Sequence, residues 1–288
     1  MRIRRYLFIA FPVFTLFFYS CTKIDAPYAT INNSNIKDTV YNWNGIQAIK
    51  RVLLEDYTGH KCVNCPEASV IAKNLEETYS GKLIVLAVHE GIFAVPASTG
   101  DFTADYRSVA SEKWATDFGI VSNPNGLINR KEFNGNKVLG KDFWGDAVAQ
   151  IINLAPDAQM LINNSYDNTS GIVNTTVLTR FLNPLSGSYK ITVCIVQDSL
   201  ISPQKNNNPA VGPTPIWYNY VFNDVLRGSL NGSDGEVLTE SVNTGITYLG
   251  RFNTTLNPAW VAKNCWILAF VYNATTKEIV QAEKKRVI

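Results

Sequence analysis

Residues 52–66, VLLEDYTGHKCVNCP, decide the fold: an apolar, strand-like run leads into a cysteine pair spaced Cys62-x-x-Cys65 and then into a helical pattern. After Pro66, the residues Ala68, Ile71, Ala72, Leu75 and Tyr79 recur at helical spacing, and Gly81 stands where the helix should stop. This spacing puts Cys62 just before or within the first helical turn. There, unpaired backbone N–H groups and the positive end of the helix dipole lower a thiol pKa and favour the nucleophilic thiolate. Cys65, one turn on, is placed to resolve a mixed disulfide formed on Cys62. Pro66 suits a first turn, where the missing N–H has no intrahelical partner to lose.

The order strand, C-x-x-C, helix resembles a thioredoxin fold. The fuller string EDYTGHKCVNCPEA resembles the thioredoxin-like half of the Gram-negative outer membrane lipoproteins named after a twenty-eight-kilodalton outer membrane protein. The resemblance implies a thiol-disulfide centre at Cys62 and Cys65 with Asp56 as a buried proton acceptor for Cys65. It also implies that Pro124 follows a cis peptide bond and lies against the cysteine pair, with Asn123 binding the backbone of an extended substrate. Read from its local sequence alone, Pro124 fits equally a trans proline in an Asn-Gly-rich turn.

The N-terminus reads as a targeting segment. Arg2, Arg4 and Arg5 precede an apolar run from Tyr6 to Phe18, too short for a spanning helix of about 20 apolar residues. Ser20-Cys21 at its end resembles a bacterial lipobox, which implies a signal peptide over 1–20 and lipid on Cys21; the alternative is an ordinary secretory signal with an incidental cysteine. Either reading sends the chain out of the cytoplasm. The resemblance implies a protein lipid-anchored to the outer membrane, and the membrane is then a partner through that N-terminal lipid.

Residues 21–46, Asn- and Thr-rich with little apolar period, read as a tether. With 26 basic and 24 acidic residues, and 23 against 24 once Arg2, Arg4 and Arg5 are removed, the chain has no basic excess to argue for nucleic acid.

The remaining length favours two domains. Residues 47–155 give the order strand, helix, strand, helix, hairpin, helix of a thioredoxin-like α/β domain. KLIVLAVHEG is a strand buried on both faces; Tyr106, Ala110, Trp114 and Phe118 predict a helix within 101–118; Asn134-Gly135 marks a hairpin; Phe143, Val148, Ile151 and Ile152 predict a closing helix. Residues 156–288 change to short β-rich runs separated by turns, which predicts an all-β antiparallel sandwich of immunoglobulin-like type. The alternate aromatics Trp217, Tyr218, Tyr220 and Phe222 read as one buried strand face, and NGSDGE as a solvated turn.

Cys194 and Cys265 lie in apolar runs and read as separate core thiols, with a disulfide between them as the alternative. His60 and Lys61 read as positive character favouring the thiolate or as exposed loop residues, and His89 as a satisfied or exposed histidine. Two histidines without a second C-x-x-C do not complete a zinc site, so no metal and no cofactor beyond the disulfide is expected. Two functions remain. One is a thiol-disulfide oxidoreductase or isomerase acting on protein or peptide thiols and disulfides. The other is an envelope lipoprotein that binds a partner or ligand, with the C-x-x-C as a structural disulfide.

Overall fold

The computed structural model describes residues 35–288. The expected signal segment 1–20, the lipidation candidate Cys21 and the first part of the expected tether lie outside the described residues.

In chain order the elements are β1 (Asn35–Thr39), β2 (Val52–Thr58), α1 (Cys65–Thr78), β3 (Leu83–His89), the single turn α2 (Gly91–Ala94), α3 (Val109–Asp117), β4 (Asn125–Ile128) and α4 (Trp144–Ile151). There follow β5 (Ala158–Tyr166), β6 (Ile172–Phe181), β7 (Tyr189–Gln197), β8 (Leu200–Lys205), β9 (Ile216–Phe222), β10 (Val225–Ser229), β11 (Glu236–Thr239), β12 (Thr247–Thr255), β13 (Cys265–Asn273) and β14 (Ile279–Arg286).

Two large sheets result. The smaller, β1-β12-β6-β5, is antiparallel throughout; the larger runs β14-β13-β7-β10-β3-β2-β4 with β11 added on β7. Alternate residues of β5, β6 and β12 face Ile191, Val193 and Ile195 of β7 and Ile267, Ala269 and Val271 of β13 across one apolar core. The period-2 alternation of these strands makes that packing possible. In the large sheet β2 and β3 are parallel, and β3 continues parallel onto β10 through Ala87 opposite Val225. Strands from both sides of the expected boundary at 155/156 therefore share one sheet. Helices α1 and α4 cover Val52, Leu54, Val85 and Ile128 on one face, while Ala110 and Trp114 of α3 pack on Leu53, Leu86 and Leu127 of the other.

Residues 35–46, expected within the tether, are structured. β1 pairs with β12 over five residues, and Trp43 is buried with its Nε1 donating to Thr247 Oγ1 at 2.9 Å. The helix expected within 101–118 starts only at Val109. Ser108 caps it reciprocally with Ser111 (Ser111 N–H to Ser108 Oγ 3.0 Å; Ser108 N–H to Ser111 Oγ 2.8 Å), which stops the helix growing toward Tyr106. At the hairpin, Asn134 and Gly135 take φ of 50° and 80°, both positive as a tight turn of this type needs, and Phe133 pairs with Asn136.

Candidate functional site

The loop from Gly59 to Asn64 leaves the end of β2 and delivers the cysteines to the start of α1. Its backbone is tied on one side to α2, where Lys61 N–H donates to Phe93 O at 2.9 Å. Gly59 permits that approach: a Cβ there would stand 2.5 Å from the Phe93 carbonyl carbon. Cys62 and Cys65 form a disulfide with Cα atoms 5.4 Å apart. Pro66 occupies the first turn of α1 as its chemistry requires.

Both cysteines are only 2% exposed, because a segment some 140 residues away closes over them. Among the described residues, strands β8 and β9 pair with each other and with no other strand. The end of β8 and the turn after it lie along the cysteine loop. Lys205 N–H donates to His60 O at 2.8 Å, and Asn207 N–H to Val63 O at 3.1 Å. The buried Gln204 Nε2 donates to Cys62 O at 2.8 Å, and Asn207 Nδ2 to Asn64 Oδ1 at 2.8 Å. The loop ISPQKNNNPAVGPTP is thus partly strand, and neither Gln204 nor Asn207 carried a sequence signal for this role.

Asp56 is buried on the α1-covered face of β2, opposite Gly126 of β4 and Ala87 of β3. Among the described residues its Oδ1 has no hydrogen-bond partner, and burial pushes its carboxyl up to about 7. The Asn123–Pro124 peptide is cis, and β4 begins one residue later with Asn125 opposite Tyr57. That places Asn123 and Pro124 at the end of β2 from which the cysteine loop departs. The Asn123 side chain is engaged with Glu90, whose carboxyl burial also raises to about 7.

The expectation of local positive charge at His60 is corrected. His60 and His89 are 0% and 1% exposed, and burial holds their imidazoles down at about 4 and about 3, so both are neutral at physiological pH. They sit in an aromatic cluster: His60 lies 5.6 Å from Phe102, and His89 lies 5.3 Å from Tyr106 and 5.4 Å from Phe222. Their partners come from the irregular segment before α3 and from β9, which the residues around each histidine do not announce. His89 is therefore neither satisfied nor exposed, since both ring nitrogens are buried without a hydrogen-bond partner.

A pH dependence follows. Above about 6.5 the His89 ring is neutral folded or unfolded and contributes nothing; below it the unfolded chain takes up a proton that the folded site refuses. Stability is lost as pH falls from 6.5 toward 3. His89→Leu should remove about 2 kcal/mol of the loss expected at pH 5, read from urea midpoints at pH 7.5 and 5. An unchanged pH slope would contradict a neutral buried His89.

Three further expectations are revised or resolved. The aromatic run is not one buried face: Phe222 is buried, but Tyr218 is 58% exposed on the outer side of the hairpin. The NGSDGE turn is not merely solvated, because Trp114 Nε1 donates to Ser233 O at 2.7 Å and the Tyr272 hydroxyl donates to Asp234 O. Cys194 and Cys265 are free, buried and on opposite faces of the large sheet, with the Cys265 thiol pushed up to about 12 by burial.

The fold and site define a β-rich protein of two packed sheets, one of them carrying an α/β margin with a disulfide enclosed beneath a hairpin. The chain belongs to the Omp28 family of outer membrane proteins, whose model matches residues 111–288, beyond the disulfide. Among solved structures it is similar to HBP35 of Porphyromonas gingivalis, with 18% identity, a TM-score of 0.62, and coverage of 84% of this chain and 76% of that one. A structural-genomics target from Agrobacterium tumefaciens is similar at 11% identity and a TM-score of 0.51, covering 84% of this chain and 96% of the other. At such identities the likeness concerns the fold. A search of the curated proteins finds no match.

Proposed function

We propose that the protein is an envelope lipoprotein, held to the outer membrane by lipid on Cys21, in which Cys62 and Cys65 form a thiol-disulfide exchange centre gated by the β8–β9 hairpin. The observation that carries this reading is the disulfide itself, set at the head of α1 at the end of the strand that buries Asp56. The parallel β2-α1-β3 crossover, followed by antiparallel β4 and α4, supports a thioredoxin-like arrangement for this part of the chain.

In the reduced protein the Cys62 thiolate attacks one sulfur of a substrate disulfide. The mixed disulfide forms, and the other substrate sulfur leaves as a thiolate. Cys65 then gives its proton to Asp56 and attacks the Cys62 sulfur, which closes the intramolecular disulfide and releases the second substrate thiol. The substrate is reduced by two electrons and the pair is oxidised; the reverse sequence oxidises a dithiol. Asn123 and Pro124, at the same end of β2, are the positions proposed to bind substrate backbone. The reaction requires no cofactor, and a protein dithiol or disulfide of the envelope renews the pair.

Trapping tests the proposal. A Cys65→Ser variant leaves the mixed disulfide unresolved, so exported proteins should be recovered on Cys62 under non-reducing conditions, and the Cys62→Ser, Cys65→Ser double variant should recover none. A second reading has its own observation: both sulfurs are buried, as suits a structural disulfide in a partner-binding protein. Absence of any trapped species with full function of the double variant would favour it.

A further inference from the structure

On the α1-covered face of the large sheet, a cleft of about 790 Å3 lies between α1 and β9. The cations along it already have partners: Arg51 meets Glu283 at 2.5 Å, Lys73 meets Glu77 at 3.8 Å, and Lys284 pairs with Asp224. Among the other carboxylates of the lining, Asp198 is satisfied by the Asp224 N–H and Trp266 Nε1, which leaves Asp56 and Glu76. Asp56 is 3% exposed with Oδ1 unbonded. Glu76 accepts a backbone hydrogen bond from Val85 and, among the described residues, makes no ion pair.

These two acids stand apart along the trough. Tyr220 bonds Ser69 and feels the Asp56 charge, which puts Asp56 at the Ser69 end of α1. Glu76 lies seven residues further along the helix, about 10 Å at 1.5 Å per residue. On the sheet, Asp56 is level with Ala87 and Glu76 bonds at Val85, two residues or about 7 Å along β3. Trp217 and Tyr220 line the Asp56 end of the cleft, edge to face with centroids 5.1 Å apart.

Each element of this arrangement selects against other ligands. An anion meets an excess of carboxylates. A metal ion needs several oxygen ligands within about 2.6 Å, and no group of three His, Cys, Asp or Glu placed to hold one occurs among the described residues. A neutral molecule leaves desolvated acids uncompensated. Aromatic faces, by contrast, favour ammonium groups and the methylenes beside them.

We propose that the cleft binds a linear aliphatic diamine or polyamine, with one ammonium at Asp56 beside Trp217 and Tyr220 and another at Glu76. The site shares Asp56 with the thiol chemistry proposed above; Glu76→Gln leaves that acid in place, so loss of amine binding there and loss of thiol exchange in the cysteine variants are told apart.

Calorimetric titration of the purified protein, disulfide intact, tests it with spermidine and the shorter putrescine in 0.15 M salt, a concentration at which exposed charges are largely screened (about 8 Å Debye length). The expected result is one site, tighter for spermidine, with a change in tryptophan fluorescence. Glu76→Gln should weaken spermidine at least tenfold, Asp56→Asn should do likewise, and Asp142→Asn, at an exposed carboxylate outside the cleft lining, should change nothing. Thermal midpoints of the variants separate lost binding from lost folding. No saturable heat with spermidine, or equal affinity in the protein and a folded Glu76→Gln variant, would overturn the proposal.

Discussion

Replacing Arg130 by leucine should cost about 3–5 kcal/mol of stability, the expected effect of leaving a buried charge without its partner. Arg130 is 4% exposed and forks onto Glu55, itself wholly buried, through Nε at 2.8 Å and Nη2 at 2.7 Å. Trp114, Phe118 and Phe270 surround the guanidinium with ring centroids 4.8 to 4.9 Å away, and Tyr272 adds a fourth ring at 5.7 Å. Rings from α3 and β13 therefore meet a cation at the end of β4 and a carboxylate on β2, so the pair ties the α/β margin to the antiparallel strands. Urea denaturation checks the figure. The double variant Glu55→Leu, Arg130→Leu should recover much of the loss, because no charge is then stranded in the core. A cost below about 1 kcal/mol for Arg130→Leu would show that water reaches the pair.

Gln204→Ala should speed reduction of the Cys62–Cys65 disulfide by dithiothreitol by roughly 5- to 160-fold. A dithiol must approach a sulfur along the disulfide axis, and both cysteines are buried with Gln204 of β8 bonded to the Cys62 carbonyl, so reduction is expected to wait on opening of the hairpin. Removing the Gln204 amide leaves the buried Cys62 carbonyl short of a donor and weakens the closed state by about 1–3 kcal/mol, which raises the open population by the corresponding factor. The hairpin is suited to opening as a unit, since it shares no ladder with either large sheet. Beyond the contacts along the cysteine loop, it is also held by Tyr106 donating to Ser202 Oγ at 2.9 Å. Alkylation followed by mass analysis gives the rates. Equal rates in the two proteins would show that the hairpin does not control access.

What the sequence discloses here is what local physics determines. The helix after Cys65 follows from apolar spacing and Pro66, the buried strand β3 from its unbroken apolar run, and the turn at Asn134-Gly135 from backbone freedom. Cys194 and Cys265 read as core thiols from their apolar runs, but their sequence leaves a disulfide between them open, and it is the fold that puts them on opposite faces of neighbouring strands. Contacts made at long range are another matter. His60, between Gly59 and Lys61, has the local sequence of an exposed loop, and its burial depends on Phe102 and Tyr106. Gln204 and Asn207 stand in a Pro- and Asn-rich stretch that has no apolar pattern, and both meet the cysteine loop instead of a core. Glu55 and Arg130 look like surface charges until the fold brings them together across 75 residues. The joining of β3 to β10 rests on a single paired position, too little to leave a periodic trace.

The central claim is that Cys62 and Cys65 exchange electrons with partner thiols, and the reduction potential of the pair tests it most directly. Purified protein equilibrated across glutathione or dithiothreitol ratios, then alkylated and weighed, gives that potential. A value between roughly −120 and −270 mV is predicted, the range of working oxidants, isomerases and reductants. A value more negative than about −300 mV would mark a structural disulfide and contradict the account.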